Sequence, residues 1–427
     1  MKLESYWIDT APAFASSAAE PPGSAGPVDV AVIGAGFTGL AAAHSLAARG
    51  SSVAVLEAGA VVAGASGRNG GQCNNGTIQD FSGLVAQLGT ERAKAIYREF
   101  DLAVDAVQSL VEQERIACDF VRCGKLKLAA KPSHYDSLVR TGERLLAEVD
   151  PEVEIIPPAR MREEIDSSIF HGGLLQKRSA SLHPGRFGVG LAEAATRQGA
   201  RIHTQTPVTG LKRLAGRRHR ITTPRGSFEA EQVLVASGCS REGPLGWFRR
   251  RIVPIGSFIV VTEPMDEGLL HRHLPRGRNY VTTLNVGNYF RVTPDHRLLF
   301  GGRARFAMSS PSSDQRSGEI LRRQLVAAFP GLEKIGIDYC WGGLVDMTSD
   351  RLPRAGEHEG LLYAMGYSGH GVQMSVKLGQ TMAEVISGRA TASPWFGQPW
   401  EPIPGHFGDP WFLPLVGLYY RAKDLLQ

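Results

Sequence analysis

Apolar positions change their rhythm several times along this 427-residue chain, and each change marks an element. Up to residue 27 there is almost no rhythm, and the Ala, Ser, Pro and Gly of 11–27 predict an extended leader. At Val28 a continuous apolar run begins. "VDVAVIG" has the unbroken pattern of a strand buried on both faces, "FTGLAAAHSLAARG" spaces its apolar residues for a helix stopped at Gly50, and "SSVAVLEA" is a second strand. Strand, helix and strand in that order predict a βαβ unit that opens a parallel sheet.

From about 87 to 150 the spacing turns to long amphipathic helices, clearest in "VDAVQSLVEQERI", with a short strand pair around "FVRCGKLKLAA". A helix in "GRFGVGLAEAATRQG", a strand in "ARIHTQ", a polar meander and the apolar strand "QVLVASG" follow. Strand-like segments run from Pro254 to Gly302, a helix covers 316–328, and "GLLYAMGYSGHGVQMSVKLGQTMAEVISG" leads from strand into helix through glycines. The expected fold is α/β, α+β overall: a Rossmann-type domain interleaved with a substrate domain built on an antiparallel or mixed sheet with helices. The expected boundaries are a leader over 1–27, a discontinuous nucleotide domain over 28–86, 151–245 and 340–395, a substrate domain over 87–150 and 246–339, and a tail over 396–427 that docks on the protein.

Composition narrows the function classes. Hydrophobic residues at 43%, charged residues at 21% and a net charge of +5 fit a globular protein with no polyanionic partner. The densest basic runs, "GRRHR" and "RRR", are short and separate, so nucleic acid is not an expected ligand. Five cysteines form no C-x-x-C pair, which argues against a disulfide framework or a zinc site and favours a reducing cytoplasm. No stretch suggests a signal peptide or a membrane span; "WFLPLVGLYYRAKDLL" either docks on its own protein or rests on a membrane surface. His271 and His273 in "HRHLP" have no third ligand nearby, so no metal is expected.

The chemistry begins at "GAGFTG". Gly34, Gly36 and Gly39 form G-x-G-x-x-G between a strand and a helix: the first makes the tight turn, the second admits a pyrophosphate, and the third lets helix and strand approach. The helix amino terminus, through Phe37 and Thr38, offers free N–H groups to phosphates. Glu57, followed by Ala58, ends the second strand, where a carboxylate can take both hydroxyls of a ribose. NAD and FAD both fit this fingerprint, and three further segments choose the flavin. "GASGRNGGQ" supplies Ser66, Arg68, Asn69, Gly70, Gly71 and Gln72 on a glycine-rich loop past the acid, unless it is a flexible surface loop. Val208 and Gly238 suit the adenosine half. Gly369, His370, Gly371 and Val372 open a helix whose positive end would stabilise charge on a reduced ring.

Together with "YFRVTPDHRLLFGG" and "WGGLVDMTSDRLPRAG", these segments resemble the FAD-dependent oxidoreductases of the D-amino-acid oxidase superfamily, most closely the gamma-glutamylputrescine oxidase branch. The leader "SYWIDTAP" fits as well, and the resemblance spans most of the chain. It implies FAD, hydride transfer from a C–N-bearing carbon to the flavin, hydrolysis of the imine, and reoxidation by O2 or, in an amino-acid dehydrogenase, by an electron carrier; the other class of reading is a non-catalytic flavoprotein subunit that binds FAD for structure. Where sarcosine oxidases tether flavin through a cysteine this chain has Gly343, with Cys340 three positions too early, and histidine-tethered relatives carry theirs near a loop that here has none, so a non-covalent flavin is implied. The lysine that sarcosine oxidases place near oxygen falls on Leu299.

The substrate is expected to be a small amine, polyamine-like or N-substituted, carrying a carboxylate. Arg291 in "NYFRVT" is expected to pair with that carboxylate through its planar fork, unless a structural acid or solvent satisfies it. Tyr289 and Phe290 must point to opposite faces, so one of them lines the pocket. His370 is expected to contact the ring or handle protons during reoxidation, or else to fix its loop. Tyr367 and Trp341 wall the pocket or belong to the core.

Overall fold

The computed structural model describes residues 1–24, 26–240, 243–389 and 393–426. Positions 25, 241, 242, 390–392 and 427, which fall in the expected leader, nucleotide domain and tail, lie outside the described residues.

Two eight-stranded sheets form the body. In the first, Val28–Ile33 lies between Gly226–Val235 and Val53–Leu56, parallel to both. Leu361–Met365 and Arg201–His203 extend it in parallel on the two sides. The strands at its centre are buried on both faces, Val30, Val32, Val53 and Val55 toward the helices and Ala31, Ile33, Ala54 and Leu56 toward Ile221, Phe228 and Phe248. The Phe37–Ala47 helix packs on this sheet with the Gly371–Ile386 and Pro184–Arg197 helices. Its alanines and the glycine at 379 permit that packing, since a Cβ on Gly379 would lie 2.4 Å from the Thr38 carbonyl oxygen.

The second sheet runs in the order Ile337–Met347, Val253–Thr262, Leu298–Gly302, Asn288–Val292, Asn279–Thr282, Lys125–Leu128, Gly173–Gln176 and Glu154–Ile156. Neighbours are antiparallel except Asn279–Thr282 beside Lys125–Leu128. The Pro311–Ala328 helix covers one face, burying Phe258, Phe290, Phe300 and Cys340. The opposite face carries Tyr289 and turns toward the first sheet.

The interleaving differs from the sequence expectation in detail. Glu154–Ile156, Gly173–Gln176 and Ile337–Met347 from 340 onward, expected with the nucleotide domain, belong to the second sheet, because Gly173–Gln176 pairs with both Lys125–Leu128 and Glu154–Ile156, and Ile337–Met347 pairs with Val253–Thr262. The long Thr90–Glu114 helix, expected with the substrate domain, packs against the Gly371–Ile386 helix of the first layer. The leader is not uniformly extended. Tyr6–Asp9 forms a short helix whose Tyr6 and Trp7 are buried against Trp341, Leu299 and Ile259 of the second sheet. The tail ends in the Leu413–Leu426 helix, which docks through Leu413 and Gly417 against Phe306.

Candidate functional site

A single elongated cavity of about 1050 Å³ runs from the turn at Gly34 to the face of the second sheet. It stands at the top of the range of about 300–1,000 Å³ usual for ligand sites.

Three glycine segments shape its walls. Gly34 takes φ +108°, which only glycine adopts freely, and a Cβ there would sit 2.8 Å from the Ala236 oxygen. Gly39 does not line the cavity; a Cβ on it would meet the Gly34 oxygen at 2.0 Å, so its role is the close helix-to-strand approach. Gly34, Gly36, Phe37 and Thr38 line one end with Glu57, Ala58, Val208 and Gly238. The Glu57 carboxylate accepts the Ala35 and Gly59 N–H groups, both at 2.8 Å, which fixes it at the cavity edge. Gly369, His370, Gly371 and Val372 line the cavity where the Gly371–Ile386 helix begins.

The loop over 64–72 is held from behind. Ser5 Oγ donates to the Gly67 carbonyl, Trp341 Nε1 to that of Arg68, Trp7 Nε1 to that of Asn69, and Arg291 Nη1 to that of Gly71. Asn69 Oδ1 takes the Gly71 N–H. With the carbonyls drawn into the protein, the N–H groups of Asn69 and Gly70 have no partner among the described residues. Ser66, Arg68, Asn69, Gly70 and Gln72 face the cavity; Gly71 does not.

Two expected substrate contacts are thereby corrected. Arg291 is buried, and its Nη1 is shared between the Gly71 and Leu182 carbonyls beneath the Trp7 ring. Trp341 is fully buried beside Tyr6 and Trp7. Neither lines the cavity, because the amino-terminal helix covers the part of the sheet face on which both stand. Arg291→Leu is therefore expected to lower the melting temperature and loosen cofactor binding while leaving the substrate KM of loaded enzyme unchanged. Thermal melts, cofactor titration and steady-state rates check this.

Tyr289 faces the cavity beside Asn288 of the same strand, its ring packed where a Cβ on Gly70 would lie 2.8 Å away. Phe290 points into the opposite core. Tyr367 lines the cavity, but its hydroxyl is tied to Thr38 Oγ1 at 2.7 Å, joining the two helix starts. His370 also lines it, with Nδ1 unpartnered among the described residues. Burial, with Lys125 and Lys127 nearby, pushes its pKa down to about 3. The imidazole is neutral at physiological pH, so it serves as a hydrogen-bonding group rather than as a proton reservoir.

Several polar residues at the second sheet escaped the sequence reading. Lys125 and Lys127 alternate with Leu126 and Leu128, so both lysines share the cavity face. Arg303 follows Gly301 on the face that bears Tyr289, and Arg351 and Tyr420 close the same region. Arg351 donates to the Tyr420 hydroxyl at 2.9 Å, whereas Arg303 and Lys127 have no hydrogen bond or ion pair among the described residues. The acids nearby are occupied. Asp314 accepts from Ser309, Ser310 and Gly342, and Asp346, pushed up to about 6 by burial, accepts from Gly366.

The family model for DAO-type FAD dependent oxidoreductases matches residues 29–385. The chain belongs to this family. DAO-family relatives include the probable oxidoreductase OrdL of Haemophilus influenzae, 32% identical over 84% of this chain and 83% of its own. The gamma-glutamylputrescine oxidoreductase of Escherichia coli is 30% identical over 93% of both chains. Among solved structures, glycine oxidase from Geobacillus kaustophilus superposes with a TM-score of 0.73 at 22% identity, covering 89% of this chain and 99% of its own. L-proline dehydrogenase from P. horikoshii gives 0.70 at 20%, covering 92% and 99%.

The residues fit FAD. The free N–H groups of Asn69 and Gly70, the Gly36 cradle and the anchored Glu57 match a long cofactor with a central pyrophosphate and a ribose. Cys340, turned away and hydrogen-bonded to the Asp314 carbonyl, is not a tether; Gly343 lines the cavity in its stead. Cys239 lines it too, at the Val208 end. No described helix is long and apolar enough to cross a membrane.

Proposed function

We propose that this chain oxidises the C–N bond of a small amine that carries a carboxylate. The kinship with gamma-glutamylputrescine oxidoreductase and glycine oxidase supports an amine or amino-acid donor. FAD, bound without a covalent link, would supply the acceptor for a hydride from the carbon beside nitrogen, leaving an imine for water to hydrolyse.

The observation that carries the carboxylate is Arg303. Its guanidinium lines the chamber beside Tyr289 with no counter-charge, and Arg351 adds to the positive field. A guanidinium out of bulk water cannot relieve its charge by losing a proton, as Lys127 can, so it demands an anion. A substrate carboxylate supplies one in a forked geometry. Tyr289 gives the substrate an apolar wall, and the loop over 64–72 holds that ring in place. His370, which lines the same cavity, offers a neutral hydrogen-bonding nitrogen.

Molecular oxygen is the proposed acceptor of the electrons. A carrier is the second reading, favoured by Leu299, which is buried beneath Tyr6 and Trp7 and places no lysine there. Five free thiols suit a cytoplasmic setting. A panel of amines with and without a carboxylate, read by anaerobic flavin bleaching, tests the reaction. Bleaching by carboxylated amines and recolouring in air are expected. Slow recolouring would select the carrier, and no bleaching by any amine would refute the proposal.

A further inference from the structure

Resting on the amine-oxidation reading, we propose that Lys125 is the proton acceptor that turns the substrate's ammonium into the neutral amine from which hydride leaves. An alkylammonium has a pKa of about 10, so it arrives protonated, and its nitrogen cannot assist C–H cleavage until a proton is removed. In this step the ammonium N–H bond breaks, its electron pair stays on the substrate nitrogen, and the proton joins Lys125 Nζ. Bound FAD would supply the acceptor for the hydride that then leaves the adjacent carbon, and Lys125 returns its proton to solvent after product leaves.

Geometry singles out Lys125. It is buried in the cavity wall at 6% exposure, and among the described residues its Nζ donates to a single acceptor, the Asn75 carbonyl at 2.6 Å. As an ammonium it would have three donors for that one partner; as an amine it keeps a lone pair for the chamber. No carboxylate among the described residues pairs with it. Asp101 is engaged by Asn75 Nδ2 and Asp150 by the Tyr97 hydroxyl, which in turn accepts from Gln176. Lys127 shares its strand face, and the neutral His370 lines the same cavity within electrostatic reach of both lysines.

Burial, reinforced by the charge of Lys127 and opposed by Asp101 and Asp150, brings the Lys125 pKa down to about 7. Lys125 is thus uncharged above that pH while the substrate is still an ammonium. The Lys127, Arg303 and Arg351 charges around the chamber also lower the substrate's own pKa on binding, which favours the transfer.

The test is the pH dependence of kcat/KM for one oxidised amine, measured by anaerobic bleaching of FAD-loaded wild type, Lys125→Met, Lys125→Arg and Lys127→Met. Wild type is expected to rise with pH through a group near 7. Both Lys125 variants should lose that limb and about 100-fold at neutral pH, the lower end of general-base effects. Their deficit should narrow as pH nears the amine's own pKa, where the substrate arrives neutral. Lys127→Met should move the wild-type limb upward.

A limb near 7 that survives in Lys125→Met, or a deficit constant with pH, overturns the assignment. Should neither Lys125 variant hold flavin, wild type and Lys127→Met decide: a missing limb in the first or an unmoved one in the second overturns it. Wild type that bleaches with no amine defeats the amine reading and this inference together. Bleaching without the pH pattern defeats this inference alone.

Discussion

Gly36→Val is expected to give a folded but colourless protein. The second glycine of the turn sits where the Phe37–Ala47 helix begins, and even a Cβ there would lie 2.9 Å from Ser66 Oγ. Ser66 cannot retreat freely, because its hydroxyl accepts the Phe37 N–H at 3.0 Å and its loop is clamped from behind. Two further methyl groups would fill the gap between helix start and loop, which is where a pyrophosphate must approach backbone. Sheet packing lies behind the turn and is untouched, so circular dichroism should match wild type while visible flavin absorbance vanishes. Retention of stoichiometric flavin would refute the placement.

Arg303→Leu is expected to retain full flavin and to lose selectivity. If the guanidinium pairs with a substrate carboxylate in the partly desolvated chamber, truncation costs about 2–5 kcal/mol, roughly 30-fold to a few thousand-fold in kcat/KM. The loss should appear only with carboxylated amines. Amines without a carboxylate should be oxidised as well as before or better, since an unpaired cation has been removed from their path. Equal losses for both classes would mean that Arg303 supports the chamber without reading the substrate.

What the sequence disclosed, and what it hid, follow from the reach of the interactions. The strand, turn, helix, strand and acid from Val28 to Glu57 were legible because each signal is local: an apolar run, a glycine spacing, a carboxylate at a strand end. Sheet membership was not. Gly173–Gln176 and Ile337–Met347 have the apolar character of either sheet, and their pairing with the distant Lys125–Leu128 and Val253–Thr262 strands decides where they belong. Arg291 and Arg303 both stand on the face that carries Tyr289. Sequence period gives the face but not what covers it, and here Trp7 covers Arg291 while Arg303 is left open to the cavity. The alternation in "KLKL" did carry a signal for Lys125 and Lys127, but the same pattern describes a strand with one face in water.

The clasp behind the glycine loop bears on how the enzyme is made. Its four donors come from positions 5, 7, 291 and 341, and the first sheet is completed only by Leu361–Met365. A ribosome must therefore release well over four-fifths of the polypeptide, up to the cavity-lining Gly369 and Gly371, before a vitamin-derived prosthetic group can find its finished berth. Riboflavin shortage during growth would strand a complete apoprotein rather than a truncated nascent one, and supplementation after synthesis should still rescue it.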